Sequence, residues 1–332
     1  MKILVTGAAG FIGAFLTRTL RESGHQVLGI DNFNDYYDPE LKKMRISALL
    51  KNDAAQTIIH VDIKDFTAVE KVFSRNEFDV VVHLAAQAGV RLDPSKYIDG
   101  NVVGFLNVLK CVEANGVSSF LFASSSSVYG NFVPTPYLES ENNLRPASFY
   151  GLTKKLNEDY CHLLSQRSSL KMRALRFFTV YGPWGRPDMA YFRLISAALH
   201  GSKFRLFGDG NIQRDFTFVE DVVSIIKDLV IELVSRPNTS FYDKVNIGGA
   251  RPLSIRYLIS EIEKQTGERI QITEESANSA DSQITEASRV YLSSLLGERE
   301  YIRLEDGISK TLEWAASSEI VGKLNSWVKS TT

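Results

Sequence analysis

A glycine-punctuated turn near the start of the chain restricts its fold more than any other feature. Lys2–Thr6 is an apolar run of strand character that passes directly into Gly7-Ala8-Ala9-Gly10-Phe11-Ile12-Gly13 and a helical stretch, Phe11–Arg21. Glycine is needed where such a turn is tight, where backbone must approach a pyrophosphate, and where the helix lies close on the strand. The helix N-terminus then offers unpaired N–H groups and the positive end of its dipole to phosphates. The spacing is G-x-x-G-x-x-G, and an ordinary βα turn can carry the same glycines. The context narrows the choice, because Asp31 closes the second strand, Gln26–Ile30. A carboxylate there binds both ribose hydroxyls and repels a 2′-phosphate, so the expected cofactor is NAD and not NADP. Asn32 follows it. Asp62 and Ile63, after the third strand, fall where an adenine edge would pass, although an Asp capping the next helix gives the same pattern.

Strand-like runs at Lys2–Thr6, Gln26–Ile30, Thr57–Val61, Val80–Leu84, Ser119–Ser124 and Lys171–Phe177 alternate with helical stretches at Phe11–Arg21, Phe66–Phe73, Tyr97–Asn115 and Phe149–Ser165. This alternation predicts an α/β protein, a Rossmann-type doubly wound parallel sheet, and the near-continuous apolar strands suit burial on both faces. After Gly182 the pattern breaks into Pro, Gly and short mixed elements. The expected division is an NAD-binding domain over residues 1–182 and a smaller mixed α/β C-terminal lobe over 183–332 that mainly binds substrate, with segments such as Val245–Ile247 returning to the main sheet. The polar stretch Glu274–Ser288 reads as a loop. A length of 332 residues suffices for both parts.

A formal net charge of -1 gives no electrostatic case for nucleic acid or an anionic membrane as partner. No apolar run is long enough to span a bilayer, and the chain enters a strand at Lys2 without a charged leader. The two cysteines, Cys111 and Cys161, sit in helical stretches and suggest a reducing cytoplasm. No metal-ligand pattern is expected.

Tyr150 and Lys154 are spaced four apart, which places them on one face of a helix. A phenol, with an unperturbed pKa near ~10, is a poor base at neutral pH. A neighbouring ammonium and a positively charged nicotinamide both favour the phenolate. Tyr150 could then take an alcohol proton as hydride leaves the same carbon, and Lys154 could also hold the nicotinamide ribose. Such a pair also arises by chance on helices. The serine run Ser124–Ser127, at the end of the fifth strand, adds weight because strand C-termini face the ligand crevice. A polar loop after a strand is its plain alternative.

With Gly7–Gly13, Ala123-Ser124-Ser125-Ser126-Ser127-Val128-Tyr129-Gly130 and the Tyr150–Lys154 pair, the chain resembles the extended short-chain dehydrogenase/reductase family of nucleotide-sugar enzymes. Asp31–Tyr37, His83–Arg91, Phe177–Met189 and Arg214–Thr217 resemble the UDP-glucuronate 4-epimerases in particular. The resemblance runs from Met1 to about Asp221 and thins afterwards. It implies that Ser125, Tyr150 and Lys154 are catalytic, and that Leu84, Ala85, Ala86, Asn101 and Phe177 line the cofactor beside Gly7, Gly10, Phe11, Ile12, Gly13, Asp31, Asn32, Asp62 and Ile63. It also implies that Thr179, Ser126, Ser127 and Arg186 meet a sugar carboxylate. A guanidinium in a loop suits that task by bidentate pairing, and an ordinary solvated loop cation is the alternative for Arg186. Arg214 is a candidate for the diphosphate, and Arg205 to Phe207 reads as a short strand flanking the uracil. Arg91 and Asp281 complete the candidate substrate contacts. The segment after Arg91 is about three residues shorter than the family pattern, and the usual Pro-Gly-Asp reads Ser279-Ala280-Asp281. Tyr36 and Tyr37 read as loop aromatics.

The expected reaction is NAD-dependent C4 epimerisation of UDP-glucuronate to UDP-galacturonate through a 4-keto sugar, with NAD staying bound because no net redox occurs. The rival enzymes are a 4-epimerase of UDP-glucose or of a UDP-N-acetylhexosamine or uronate, and a UDP-glucuronate decarboxylase. Dehydratases of the superfamily carry an Asp-Glu pair where this chain has Ser126-Ser127. A silent NAD-binding regulator is the non-enzyme alternative, disfavoured by the intact Ser125, Tyr150 and Lys154. The resemblance implies a homodimer through the helical stretches Tyr97–Asn115 and Phe149–Ser165.

Overall fold

The computed structural model describes residues 1–89, 92–249, 251–276 and 282–331, with only the backbone of Asn52 and Ala55. The first six strands are β1 Lys2–Thr6, β2 Gln26–Asp31, β3 Ile58–His60, β4 Val80–His83, β5 Ser119–Ser125 and β6 Lys171–Phe177. They are followed by β7 Thr179–Tyr181, β8 Lys203–Phe207, β9 Gln213–Phe218, β10 Phe241–Ile247, β11 Pro252–Ser254 and β12 Gln271–Glu275. The main sheet has seven parallel strands in the order β10-β6-β5-β4-β1-β2-β3. The order reverses between β1 and β4, and the crevice outside the strand C-termini at such a switch point is where α/β sheets bind ligands.

Burial on both faces explains the apolar strands. Ile3 and Val5 of β1 point into one core and Leu4 into the other. Helices Phe66–Ser74, Phe105–Ala114 and Phe149–Ser165 cover the Leu4 side, while Phe11–Glu22 lies on the opposite side against Val219–Ser235. Both β10 and the helix Val219–Ser235 thus come from beyond residue 183, so more of the second half builds the main layer than its broken pattern suggests. The remaining strands form a three-stranded sheet, β11-β9-β7, and a parallel pair, β12-β8.

Four local readings need correction. The stretch Tyr97–Asn115 is not one helix: it is helix Pro94–Tyr97, a π-helical turn Ile98–Gly104, then helix Phe105–Ala114. Gly104 lies so close to Ile63 that a Cβ there would stand 2.6 Å from its Cδ1. The third strand is shorter than Thr57–Val61, because Ala54–Thr57 is still helical. A further helix, Pro39–Leu50, follows β2, started by Asp38, whose side chain accepts the Glu40 N–H. The polar stretch Glu274–Ser288 begins in β12 and is not loop throughout. Among the described residues no helix is long and apolar enough to cross a membrane.

Candidate active site

The glycine turn has the shape its sequence demands. Gly7 adopts φ +70°, and a Cβ there would stand 2.7 Å from the backbone nitrogen of Ala85. A Cβ at Gly13 would stand 2.1 Å from the Gly7 carbonyl oxygen, so the helix seats on the turn only because residue 13 has no side chain. Phe11 and Ile12 open that helix. Asp31 is 7% exposed and accepts N–H groups from Ala9 at 3.1 Å and Phe33 at 2.8 Å. A cradle that any Cβ would fill, closed by a carboxylate at the ribose position, fits a dinucleotide without a 2′-phosphate.

The other expected cofactor residues gather around the cradle. Asn32 donates to the Asp62 carboxylate at 3.2 Å, and Asp62 also accepts the Lys64 N–H at 2.9 Å. The next helix is capped by Asp65 and not by Asp62, which removes the capping alternative. Ile63 is buried. Leu84 and Ala85 extend β4, with their N–H groups on the carbonyl and hydroxyl oxygens of Thr6. Ala86 continues that segment. Asn101, 1% exposed, clamps the backbone of Gln87 through both its amide atoms, accepting at 2.7 Å and donating at 3.1 Å. Phe177, at the end of β6, pairs in register with Ser125.

Strand alternation sorts the serines. Ser124 turns inward and donates to Glu158 at 2.5 Å, and Glu158 is itself held by Arg176 at 2.9 and 2.7 Å. Ser125 therefore faces the other way, at the strand terminus. It accepts the Ser127 N–H at 3.1 Å and donates its hydroxyl to the Ser127 Oγ at 3.1 Å, near enough to the Tyr150 phenol to lower its pKa. Ser126 and Ser127 open the short turn that follows. A Cβ at Gly151 would meet the Ser127 carbonyl oxygen at 2.6 Å, so this glycine lets helix Phe149–Ser165 press against the serine turn. Ser148 caps that helix by accepting the Gly151 N–H at 3.0 Å, which fixes Tyr150 in its first turn.

Lys154 is buried one turn on. Its Nζ donates to the Ala123 carbonyl at 2.9 Å and lies 5.8 Å from the Tyr150 ring centroid. Burial lowers the Lys154 ammonium to about 7. Burial raises the Tyr150 phenol, and the Arg186 charge and the nearby Ser125 hydroxyl offset only part of that rise. Arg186, which the resemblance assigned only to the substrate carboxylate, thus also favours the phenolate.

Arg186 sits in the loop after β7 and pairs with Asp188: Nε to Oδ1 at 3.0 Å and Nη2 to Oδ2 at 2.5 Å. Nη1 makes no hydrogen bond among the described residues. Thr179 begins β7, opposite Phe216 of β9. Arg205 and Phe207 lie on β8, where Arg205 is exposed and 3.7 Å from Glu275. Arg214, on β9, donates to the carbonyl oxygens of Gln213 and Ser282 at 2.9 and 2.7 Å. These three stand on the small sheets. Arg91 and Asp281 lie outside the described residues. No group of three or more potential metal ligands occurs among the described residues.

Three participants escaped the sequence reading. Tyr36 donates its hydroxyl to Asp188 at 3.2 Å, so it is more than a loop aromatic. Asp188 carried a signal in Arg186-Pro187-Asp188, a cation and an acid flanking a proline. Arg45 is fully buried and donates to the carbonyl oxygens of Ala9 and Trp184, both at 2.7 Å, and to the Tyr37 hydroxyl at 3.1 Å. It ties the cofactor turn to the loop that carries Arg186.

Fold and site together make this a dinucleotide-dependent enzyme of the short-chain dehydrogenase class. The NAD dependent epimerase/dehydratase family model matches residues 3–248, and the chain belongs to that family. It is 38% identical over 329 residues to Protein CapI of Staphylococcus aureus, covering 95% of this chain and 98% of that one. It is 37% identical over 330 residues to UDP-glucuronate 4-epimerase 3 of Arabidopsis thaliana, covering 94% of this chain and 76% of the relative. Among solved structures it is similar to UDP-glucuronic acid 4-epimerase from Bacillus cereus in complex with UDP-glucuronic acid and NAD. The TM-score is 0.86 at 34% identity, over 95% of this chain and 98% of the other.

Proposed function

We propose that this enzyme interconverts UDP-glucuronate and UDP-galacturonate by epimerisation at C4. The observation that carries the reading is the placement of Arg186 in the loop after β7, with its Nε–Nη2 edge on Asp188 and Nη1 left for a further acceptor, where its charge also lowers the Tyr150 phenol. A carboxylate at C6 of a sugar whose 4-hydroxyl meets Tyr150 would reach such a group. The relatives of that name support the substrate.

Gly7, Gly10 and Gly13 admit the pyrophosphate, Asp31 takes the adenine ribose hydroxyls, and Asn32, Asp62 and Ile63 edge the adenine. NAD, when bound there, supplies the hydride acceptor and donor for C4. Leu84 to Ala86, Asn101 and Phe177 shape the wall of its site. Tyr150 takes the proton from the 4-hydroxyl and later returns it, and Ser125 hydrogen-bonds the same oxygen. Lys154 holds the nicotinamide ribose. After oxidation the sugar is a β-keto acid, which loses carbon dioxide readily when the C5–C6 bond aligns with the carbonyl π system. Thr179, Ser126, Ser127 and Arg186 hold the carboxylate out of that alignment. Arg205, Phe207, Arg214 and, by family resemblance, Arg91 and Asp281 serve the UDP portion.

The division into a cofactor domain over residues 1–182 and a substrate lobe over 183–332 belongs to this reading, as does a cytoplasmic location. A homodimer does too. Leu152, Leu156 and Leu163 lie along one side of helix Phe149–Ser165 and, with Ile98 and Val103, are 43–52% exposed.

The test is to incubate the purified protein with UDP-glucuronate, without added NAD, and to separate the sugar nucleotides by chromatography. UDP-galacturonate should appear. Turnover of UDP-glucose alone, or a UDP-pentose as sole product, would replace this reading by one of its rivals.

A further inference from the structure

Asp188 poses a problem for a site that takes an anionic sugar. A carboxylate beside Arg186 should repel a second carboxylate, and it already occupies the guanidinium. Burial pushes the Asp188 carboxyl up, but Arg186 outweighs it and leaves the group below its usual range, so it is charged at neutral pH. It is therefore either a competitor for Arg186 or a brace for it.

The geometry points to a brace. Asp188 takes the Nε–Nη2 edge of the guanidinium. The group is planar, so fixing one edge fixes its plane and the direction of the remaining donors on Nη1. Asp188 is itself fixed by the Tyr36 hydroxyl at 3.2 Å, and the guanidinium carbon lies 5.9 Å from the Tyr36 ring centroid. Tyr36 in turn is held against Gly89: a Cβ there, at φ +92°, would stand 2.5 Å from the Tyr36 hydroxyl oxygen. The Gly89 carbonyl accepts the Tyr97 hydroxyl at 2.8 Å, and the Tyr97 ring lies 6.1 Å from that of Tyr150. One packed series of side chains, bridged by the Gly89 backbone, thus joins the proposed carboxylate clamp to the proposed base.

We propose that Asp188, fixed by Tyr36, is a positioning residue that aims Arg186 at the sugar carboxylate and so helps keep the 4-keto intermediate from losing carbon dioxide. The inference rests on the uronate reading above. In the loss that the brace restrains, the C5–C6 bond breaks. Its electron pair passes toward the 4-keto oxygen as an enolate, C5 is then protonated, and carbon dioxide departs, leaving a 4-keto pentose.

The test compares wild type, Asp188→Asn and Tyr36→Phe as purified with their bound NAD. It measures KM and kcat for UDP-glucuronate and for UDP-glucose, and the share of UDP-pentose in the product. Retained NAD and melting temperature report the fold. Asp188→Asn should raise KM for UDP-glucuronate about tenfold or more, with a smaller change in kcat and a smaller loss on UDP-glucose. The UDP-pentose share should rise. Tyr36→Phe, which keeps the Asp188 carboxylate, should move the same quantities in the same direction by less, and it carries the test if Asp188→Asn loses NAD or fails to fold. An unchanged or lowered KM for UDP-glucuronate, with an unchanged product ratio, would show Asp188 to be a bystander or a competitor and overturn the inference. Wild type that prefers UDP-glucose would instead sink the uronate reading, and this inference with it.

Discussion

Lys154 is hydrogen-bonded through Nζ to the carbonyl oxygen of Ala123 at 2.9 Å, and burial holds its ammonium near 7. The unfolded chain keeps a lysine near ~10.4. Below about pH 7 the native state must bury a charge. Between about 7 and 10 the native lysine is neutral while the unfolded one still binds a proton, so this residue's contribution to stability rises with pH. Lys154→Met removes the titration. In cofactor-free protein the variant should compare best with wild type near pH 6. Its relative stability should then fall by about 1–3 kcal/mol between pH 7 and 9, given a limiting slope of ~1.4 kcal/mol per pH unit. Denaturant melts of the two proteins across that range check it, and parallel curves would mean that Lys154 is charged in the native state throughout.

Tyr150→Phe removes one oxygen and leaves the ring that packs on Tyr97. The variant should fold, keep its bound NAD, and lose at least about a hundredfold in turnover of UDP-glucuronate, the lower range of what a positioned acid–base group contributes. Steady-state rates with absorbance of the bound cofactor check both halves. Near wild-type turnover would remove Tyr150 from the base role and leave Ser125 to be reconsidered.

How much of this was legible in the sequence follows from what each residue must do. The glycine turn and Asp31 could be read because the backbone path there tolerates few residue types, and the Gly7–Gly13 approach leaves no room for a Cβ. Helix Pro39–Leu50 was overlooked although Asp38-Pro39 is a good start signal. It buries Lys42 and Arg45 along with Leu41 and Leu50, so its inward face has no apolar periodicity to detect. Arg45 hydrogen-bonds backbone carbonyls of distant segments, and no local pattern announces that. Lys154 could be placed beside Tyr150 because the two share a helix face, whereas no local pattern shows that Arg186 also acts on Tyr150 from the loop after β7.

The two N–H donors on Asp31 place its carboxylate at the end of β2, beside the cofactor turn. Lys42 forms a buried ion pair with it at 3.7 Å and donates to Asn34 at 2.8 Å, so its charge is already matched by that of Asp31. A 2′-phosphate would meet the carboxylate. Protein denatured directly after purification should therefore release NAD in both redox states and at least about tenfold less NADP, a ratio that corresponds to ~1.4 kcal/mol of discrimination. Chromatography of the released nucleotides decides the matter, and mainly NADP in the supernatant would reverse the cofactor assignment.

Arg186 separates the uronate reading from its neutral-sugar rivals, because UDP-glucuronate and UDP-glucose differ only at C6. Arg186→Ala removes the clamp and also strands Asp188, whose carboxylate then faces the incoming one. Losing one partner of a charge-assisted pair costs ~2–5 kcal/mol, part of it from the stranded charge. The single variant should thus lose roughly tenfold or more in kcat/KM on UDP-glucuronate and less on UDP-glucose. The double variant Arg186→Ala with Asp188→Asn tells the two contributions apart. If the stranded charge matters, the double variant should recover part of the loss on UDP-glucuronate, so that the two substitutions are not additive. Both substrates measured on all three proteins give the answer. Equal losses on the two sugars would mean that Arg186 serves a group they share, such as the diphosphate, and the carboxylate clamp would have to be sought among Thr179, Ser126 and Ser127.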